Sequence, residues 1–75
     1  MKKRDPALVT LGLNLRRRRE ELGLTQERLA EKATLDQTYI SGIERGLRNP
    51  GILNVAKLAK ALGISTWQLC KGVDL

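Results

Sequence analysis

The sequence predicts a small all-α domain of five helices, and three observations support this fold class. The apolar residues are mostly Leu, Ile and Ala with no Phe, which favours helices packed on helices over a sheet core. Apolar positions recur with a period of about 3.6 residues in successive segments, as on one face of a helix. Capping residues and glycines separate these segments. A composition of 41% hydrophobic and 29% charged residues is typical of a globular chain and argues against disorder.

The first helix is predicted over Pro6–Leu22. Asp5 is a suitable N-cap, Pro6 fits the first helical position, and Gly23 stands where a C-cap belongs. One apolar stripe runs along this helix and should face the core; it consists of Leu8, Leu11, Leu15 and Leu22.

Four consecutive arginines, Arg16–Arg19, lie within this first helix. Arg18 and Arg19 flank the apolar stripe, so two interpretations stay open. Either the run is a solvated basic face, or one of the flanking arginines is buried by an acidic partner elsewhere in the chain. Val9 and Leu13 form a second, weaker apolar pair to which the pattern assigns no place in the core.

The second helix is short and begins after Thr25, a suitable N-cap. Its acidic residues lie toward the start and Lys32 lies at the end, the order that the helix dipole favours. Its buried face is predicted to consist of Leu29, Ala30 and Ala33. Thr34-Leu35 then connects this helix to the next one.

The third helix is predicted over Gln37–Arg45, with Asp36 as its N-cap and Gly46 after its end. Its two sides differ in character. One side is apolar and should be buried through Ile40 and Ile43. The other side carries small polar side chains that have no place in a core, namely Gln37, Thr38 and Ser41, with Tyr39 beside them.

The composition of Asn49-Pro50-Gly51 predicts a turn before the fourth helix. This helix ends before Gly63, and its apolar positions are Ile52, Val55, Ala56, Leu58, Ala59 and Leu62. Ser65 caps a short fifth helix, Thr66–Cys70, and we expect two residues of this region to enter the core: Ile64 and Leu69.

The residue totals restrict the function and the organisation of the chain. A net charge of +6 indicates a polyanionic partner such as nucleic acid, or an acidic membrane surface. A single Cys70 and the absence of His leave no zinc cage, so we expect no metal and no cofactor. No apolar run approaches the roughly 20 residues of a membrane span, and no secretion signal is recognisable. We therefore expect a cytoplasmic protein with one domain over residues 6–70, a flexible basic tail at 1–5 and a C-terminal tail at 71–75.

Two short helices joined by a tight turn, the second of them headed by amide and hydroxyl groups, have the outline of a helix-turn-helix. A Gln side chain can bind N6 and N7 of adenine in the major groove, and Thr or Ser can contact several base edges. Tyr39, Arg45 and Arg48 suit phosphate oxygens, which hold register without reading sequence. The alternative is a plain helical hairpin whose polar face is merely solvated.

A resemblance to a known family covers about residues 11 to 69. It rests on LTQ at Leu24–Gln26, LA at Leu29–Ala30, IERG at Ile43–Gly46 and RNP at Arg48–Pro50. With these motifs the chain resembles the phage-repressor-like (XRE-type) helix-turn-helix family. The resemblance implies a compact lambda-repressor-like domain whose second and third helices form the helix-turn-helix. The run YISGIERGLRNP, together with the lack of a second domain, is similar to the controller proteins of restriction–modification systems.

The resemblance also implies roles for individual residues. The residues expected to read base edges are Gln37, Thr38 and Ser41. Those expected to contact the DNA backbone are Gln26, Tyr39, Arg45, Arg48 and Asn49, and Gln26 would also brace Gln37. Arg19 would be the arginine that pairs with Glu44, which selects between the two flanking arginines.

Some positions depart from the pattern of the family. Controller proteins often have Arg where this chain has Gln37, so an adenine contact would replace a guanine contact. Gly42 offers no side chain where some repressors have a reading residue. Leu53 and Trp67 occupy positions that are usually polar, and with Cys70 they would form the symmetric contact of a homodimer. The alternative is that Trp67 covers the end of the domain's own core and Leu53 is an isolated surface leucine.

The function implied is that of a sequence-specific transcriptional regulator of restriction–modification genes, binding double-stranded DNA at a palindromic operator as a homodimer. The alternative is an antitoxin-like interaction module that regulates its own operon and docks its partner through Val9, Leu13 and Leu53. An enzyme is not expected, because the sequence has no His, no phosphate-binding Gly loop and no carboxylate pair in a predicted cleft. Neither a membrane nor a small-molecule ligand is expected as a partner. Glu27 and Glu31 could touch RNA polymerase, yet they equally suit the helix dipole.

Overall fold

The computed structural model describes residues 4–75 of the chain. Within this part the polypeptide forms five helices and no strand: α1 (Pro6–Glu21), α2 (Gln26–Ala33), α3 (Gln37–Glu44), α4 (Gly51–Ala61) and α5 (Thr66–Leu69). The predicted all-α fold is confirmed, with helix ends close to those expected. The first three residues of the predicted basic tail lie outside the described part. None of the helices at residues 4–75 is long and apolar enough to cross a membrane.

Side-chain oxygens cap four of the five helices. The first backbone amides of α1, α2, α3 and α5 donate to the predicted capping residues, Asp5, Thr25, Asp36 and Ser65. Because a helix leaves its first amides without partners, each cap fixes the position at which the helix begins. Helix α4 has no such cap at Pro50, but the side-chain oxygen of Asn49 accepts the backbone amide hydrogen of Gly51 at 3.2 Å.

One hydrophobic core joins all five helices. Its buried members are Leu11, Leu15, Leu29, Ala30, Ala33, Ile40, Ile43, Val55, Leu58, Ala59, Leu62 and Leu69. Two predicted core positions lie at the surface instead. Leu22 is 43% exposed because α1 ends at Glu21 and the apolar stripe stops before it. Ile52 is 68% exposed because it lies in the first turn of α4, and the buried positions of that helix begin at Val55.

Helix α3 is held against α1 and α2, while α4 packs on α2 and α5. Gly12 allows the close contact of α1 with α3. A Cβ atom at this position would lie 2.7 Å from the carbonyl oxygen of Glu44 and closer still to that of Ile43. Any side chain at Gly12 would therefore force the two helices apart.

Polar side chains of α1 bind the C-terminal ends of α4 and α5. Asn14 Nδ2 donates to the carbonyl oxygens of Leu69 and Lys71, each at 2.8 Å. Arg18 Nε donates to the carbonyl oxygen of Leu62 at 3.1 Å. The last carbonyls of a helix have no partner within it, so these contacts supply the missing donors. Arg18 therefore binds the backbone rather than an acidic side chain.

Two residues placed outside the core by sequence reasoning make contacts within the domain. Val73, in the expected C-terminal tail, packs against the core, so the packed chain continues beyond residue 70. Val9 lies against Gly46, whose added Cβ would be 3.1 Å from Val9 Cγ2. Leu13 stays exposed. The apolar pair of Val9 and Leu13 is thus divided between an internal contact and the surface.

Candidate nucleic-acid interface

The connection between α2 and α3 is a left-handed turn. Thr34 has φ 56° and ψ 48°, and it is the one non-glycine residue of the described part with a positive φ. The backbone amide of Leu35 donates to the carbonyl oxygen of Ala30 at 2.9 Å, as in a Schellman motif. The Leu35 side chain packs against the core and completes the motif. This turn sets the angle at which α3 leaves α2.

The two sides of α3 differ as the sequence predicted. Ile40 and Ile43 are buried on one side. On the other side, Gln37 and Thr38 are exposed and Ser41 is half-buried. Because a helix turns about 100° per residue, the side chains of Gln37, Thr38 and Ser41 project from one arc of the first two turns of α3. They are the residues expected to read bases, and they form the readout face of α3.

A buried polar network holds α3 in place. The carboxylate of Glu44 accepts hydrogen bonds from Arg19 Nε at 2.6 Å, from Arg19 Nη2 at 2.9 Å and from Gln26 Nε2 at 3.0 Å. Arg19 also donates to the carbonyl oxygen of Leu24 at 2.8 Å. The hydrogen bond to Glu44 raises the pKa of Arg19, so the guanidinium stays charged. The amide nitrogen of Gln26 lies on Glu44, whereas the resemblance had implied a brace to Gln37.

The residues expected to contact the DNA backbone differ in exposure and in their contacts within the domain. The ring of Tyr39 packs against the core, and its hydroxyl oxygen accepts a hydrogen bond from Asn54 Nδ2 at 3.2 Å. Arg45 is exposed, with its Nε 3.4 Å from the carbonyl oxygen of Ser41. Asn49 is also exposed and uses its side-chain oxygen to order the start of α4.

Arg48 lies beside the readout face, against Gly42, a position at which the sequence offers only a glycine. A Cβ atom added to Gly42 would lie 2.6 Å from Arg48 Cγ and 3.6 Å from its Nε. The stem of Arg48 therefore lies across Gly42, which is buried although its neighbours Thr38 and Arg45 are exposed. The signal in the sequence was the glycine itself, since a glycine inside a helix often permits a close approach.

Large apolar side chains are exposed on α4 and α5. Leu53 is 79% exposed and Trp67 is 70% exposed, so Trp67 does little to cover the core of its own domain. Cys70 is half-buried against the core, and burial raises the pKa of its thiol. Ile52 adds exposed apolar area on α4 that sequence reasoning had assigned to the core.

The other acidic side chains do not form a further site among the described residues. Within residues 4–75 no three His, Cys, Asp or Glu side chains are grouped so that they could hold a metal ion. Glu27 and Glu31 are exposed on α2. Glu31 binds Arg28 at 3.1 Å, an exposed pair within one helix that contributes little to stability.

Together, α2, its left-handed turn and α3 define a helix-turn-helix, with a second helix that is buried on one side and polar on the other. The comparison with protein families agrees with this class. Residues 15–66 match the helix-turn-helix family HTH_3, and the chain belongs to this family.

Known proteins of the same family resemble the chain over most of its length. It is 42% identical over 64 residues to the uncharacterized HTH-type transcriptional regulator y4dJ of Sinorhizobium fredii, covering 85% of this chain and 83% of that protein. The crystal structure of the restriction-modification controller protein C.AhdI from Aeromonas hydrophila matches with a TM-score of 0.81 at 47% identity, covering 83% of this chain and 94% of that chain. The controller protein C.Esp1396I, solved as a tetramer in complex with its natural 35 base-pair operator, matches with a TM-score of 0.82 at 38% identity, covering 92% of this chain and 91% of that chain.

Proposed function

We propose that this protein is a transcriptional regulator, and not an enzyme, that binds a palindromic DNA operator as a homodimer and controls restriction–modification genes. The observation that carries the proposal is the readout face of α3. Its three polar side chains project from a helix that is held by the core on one side and by the buried carboxylate of Glu44 at its end. The similarity to two restriction–modification controller proteins supports the choice of regulated genes.

The readout face offers groups that match base edges in the major groove. Gln37 presents an amide with both a donor and an acceptor, which suits N6 and N7 of adenine. Thr38 and Ser41 add hydroxyls that can donate or accept. Asp36 accepts the backbone amide of Thr38 at 2.7 Å, so the start of α3 is ordered before any DNA is bound.

Phosphate contacts are proposed for five residues on and near the helix-turn-helix: Gln26, Tyr39, Arg45, Arg48 and Asn49. A primary amide has two N–H donors, so Gln26 keeps one hydrogen for a phosphate while the other binds Glu44. Arg48 brings a positive charge to the edge of the readout face through its contact with Gly42. Such contacts supply affinity and register, whereas base contacts supply sequence preference.

A homodimer would contact enough base pairs to recognise a specific operator. One such helix reads only a few base pairs, and symmetric dimers reach half-sites about 34 Å apart along one side of the duplex. We assign the dimer contact to the exposed apolar side chains of α4 and α5, Leu53 and Trp67. Cys70 contributes at the edge, because it is partly turned toward its own core.

Selection of binding sites from random duplex DNA tests the proposal, since it yields the half-site and the spacing together. We expect a palindromic sequence. Gln37→Ala should then lose roughly 1–3 kcal/mol of discrimination at one base position and keep its non-specific binding. If this variant weakens binding to all sequences equally, Gln37 does not read a base. Recovery of no symmetric sequence would contradict both the readout and the dimer.

Arg48→Ala should behave differently from Gln37→Ala. It should weaken binding to every duplex and lower the slope of log affinity against log salt by about 1, because one phosphate contact is lost. Lys57→Ala is the charge-matched control, since Lys57 is exposed on α4 and has no proposed DNA contact. Equal effects of the two substitutions would show that only net charge matters.

A further inference from the structure

We propose that Asn54 is a positioning residue for DNA binding, because it orients the Tyr39 hydroxyl so that its hydrogen is left for a DNA phosphate. The inference rests on the proposed function, in which Tyr39 contacts the DNA backbone. Asn54 lies on α4 and Tyr39 on α3, and Asn54 Nδ2 is 3.2 Å from the Tyr39 hydroxyl oxygen. Both side chains are half-buried, so each has one side within the fold and another at the surface.

The chemistry of a phenol hydroxyl makes this hydrogen bond directional. The oxygen can accept hydrogen bonds and carries a single hydrogen to donate. Because Asn54 presents an N–H group, the Tyr39 hydrogen cannot point toward it and is directed away. A hydroxyl that accepts one hydrogen bond also becomes a better donor in the next. Asn54 thus turns a freely rotating hydroxyl into a donor aimed away from α4.

The surroundings of both residues hold this geometry before DNA arrives. The Tyr39 ring packs on the core. Tyr39 is followed in sequence by Ile40, which is fully buried. Asn54 precedes Val55, which is also buried. Neither side chain needs to be ordered upon binding, and avoiding that entropy loss increases affinity. Since α3 packs mainly on α1 and α2, the bond is an additional tie between α3 and α4.

A purely structural tie would predict different results. In that case the loss of the hydrogen bond would lower stability, and the direction of the hydroxyl hydrogen would have no influence on DNA affinity. Asn54→Asp separates the two explanations. A carboxylate only accepts hydrogen bonds, so it keeps a hydrogen bond to Tyr39 while taking up the hydroxyl hydrogen. The tie remains, and the donor to the phosphate is lost.

The test measures affinity for the duplex recovered by site selection and, at low salt, for a random-sequence duplex. Tyr39→Phe should weaken binding to both by roughly 10- to 100-fold, the size expected for one hydrogen bond to a charged group. Asn54→Asp should weaken binding at least as much. In a Tyr39→Phe background, Asn54→Ala should change affinity less than about twofold. In the same background, Asn54→Asp measures the effect of the added negative charge alone.

A spectroscopic readout reports the direction of the hydrogen bond in the free protein. Tyr39 is the only tyrosine of the chain, so the tyrosine doublet of the Raman spectrum belongs to it alone. This doublet distinguishes a phenol oxygen that accepts a hydrogen bond from a hydroxyl that donates one. We expect the acceptor pattern in the unaltered protein and the donor pattern in Asn54→Asp. Thermal unfolding of each variant establishes that it is folded.

The possible outcomes are distinct. If Tyr39→Phe weakens binding and Asn54→Asp does so only through its charge, the positioning role of Asn54 is overturned and the proposed function stands. If Tyr39→Phe binds both duplexes normally, the inference also fails, while base discrimination by Gln37 remains as a separate test of the function. If the unaltered protein binds no duplex, both the function and the inference fail.

Discussion

The guanidinium of Arg19 and the carboxylate of Glu44 face each other through two hydrogen bonds of 2.6 and 2.9 Å, with only 12% and 4% of their side chains exposed. The other two ion pairs among the described residues, Arg16–Glu20 and Arg28–Glu31, are exposed and lie within single helices. Only the buried pair connects different helices, α1 and α3. A buried pair gains little net stability because both charges are desolvated. Its contribution here is to fix the orientation of the readout helix.

Removal of one partner of this pair should be strongly destabilising. Glu44→Ala should lower the free energy of unfolding by about 3–5 kcal/mol, because it leaves the Arg19 charge buried without a partner. Denaturation by urea measures this change. Arg28→Ala breaks an exposed pair and should cost at most about 1 kcal/mol. Arg19→Met combined with Glu44→Leu should recover much of the loss. An equal, small effect of Glu44→Ala and Arg28→Ala would contradict the assigned role.

The turn of the helix-turn-helix carries local strain at Thr34. A β-branched residue is poorly suited to the left-handed region, which costs roughly 1–2 kcal/mol for a residue with a Cβ. Glycine removes this cost but gains entropy in the unfolded chain. Thr34→Gly should therefore raise the free energy of unfolding by about 0.5–1 kcal/mol. Thr38→Gly, in the helical backbone of α3, is the control and should lower it by up to about 0.5 kcal/mol.

Two glycines that lie inside helices should respond differently to substitution by alanine. At Gly12 the added Cβ would strike the backbone of α3, so Gly12→Ala should lower the free energy of unfolding by about 1–3 kcal/mol or more. At Gly42 it would strike the flexible stem of Arg48. Gly42→Ala should leave stability nearly unchanged or raise it by up to about 1 kcal/mol through helix propensity.

The same Gly42→Ala substitution should reduce DNA affinity about five- to tenfold, because it displaces the guanidinium of Arg48. A combination with Arg48→Ala distinguishes this cause from a direct one. In the absence of the arginine, Gly42→Ala should have little further effect on affinity. Additive losses would show that Arg48 does not act across Gly42.

The sequence was sufficient to predict those features of the fold that depend on residues close together in the chain. Capping residues such as Asp36 indicate where a helix begins, because the capping oxygen and the amide that it accepts are only two or three residues apart. Helical periodicity placed Ile40 and Ile43 in the core for a similar reason. The predictions for Leu22 and Ile52 were wrong because both residues lie at helix ends. There the apolar periodicity of the sequence extends beyond the part of the helix that packs on the core.

Contacts between distant parts of the chain could not be read from local patterns. Either Arg18 or Arg19 could have been the buried arginine, and only the resemblance favoured Arg19. The actual partner of Arg18, a backbone carbonyl at Leu62, has no sequence signature at all. The approach of Arg48 to Gly42 and the bond from Asn54 to Tyr39 likewise depend on how α4 and its preceding loop fold back over α3.

The proposed dimer makes Trp67 a sensitive probe, since it is the only tryptophan of the chain and is 70% exposed in one copy. Its burial between two copies should shift its fluorescence emission to shorter wavelength, and dilution should reverse the shift as the dimer dissociates. Trp67→Ser should yield a monomer in analytical ultracentrifugation, because a tryptophan at an interface core contributes much of the binding energy.

The monomeric variant should also lose affinity for the palindromic duplex, on the order of 10²–10⁴-fold, because two half-sites are no longer bound by one particle. Its affinity for a single half-site should change little, which separates dimerisation from DNA contact. Leu13→Ser is the matched control, since Leu13 is an exposed leucine on α1 that is not assigned to the proposed contact. If Trp67→Ser still sediments as a dimer, or if Leu13→Ser becomes monomeric instead, the dimer forms through a surface other than α4 and α5.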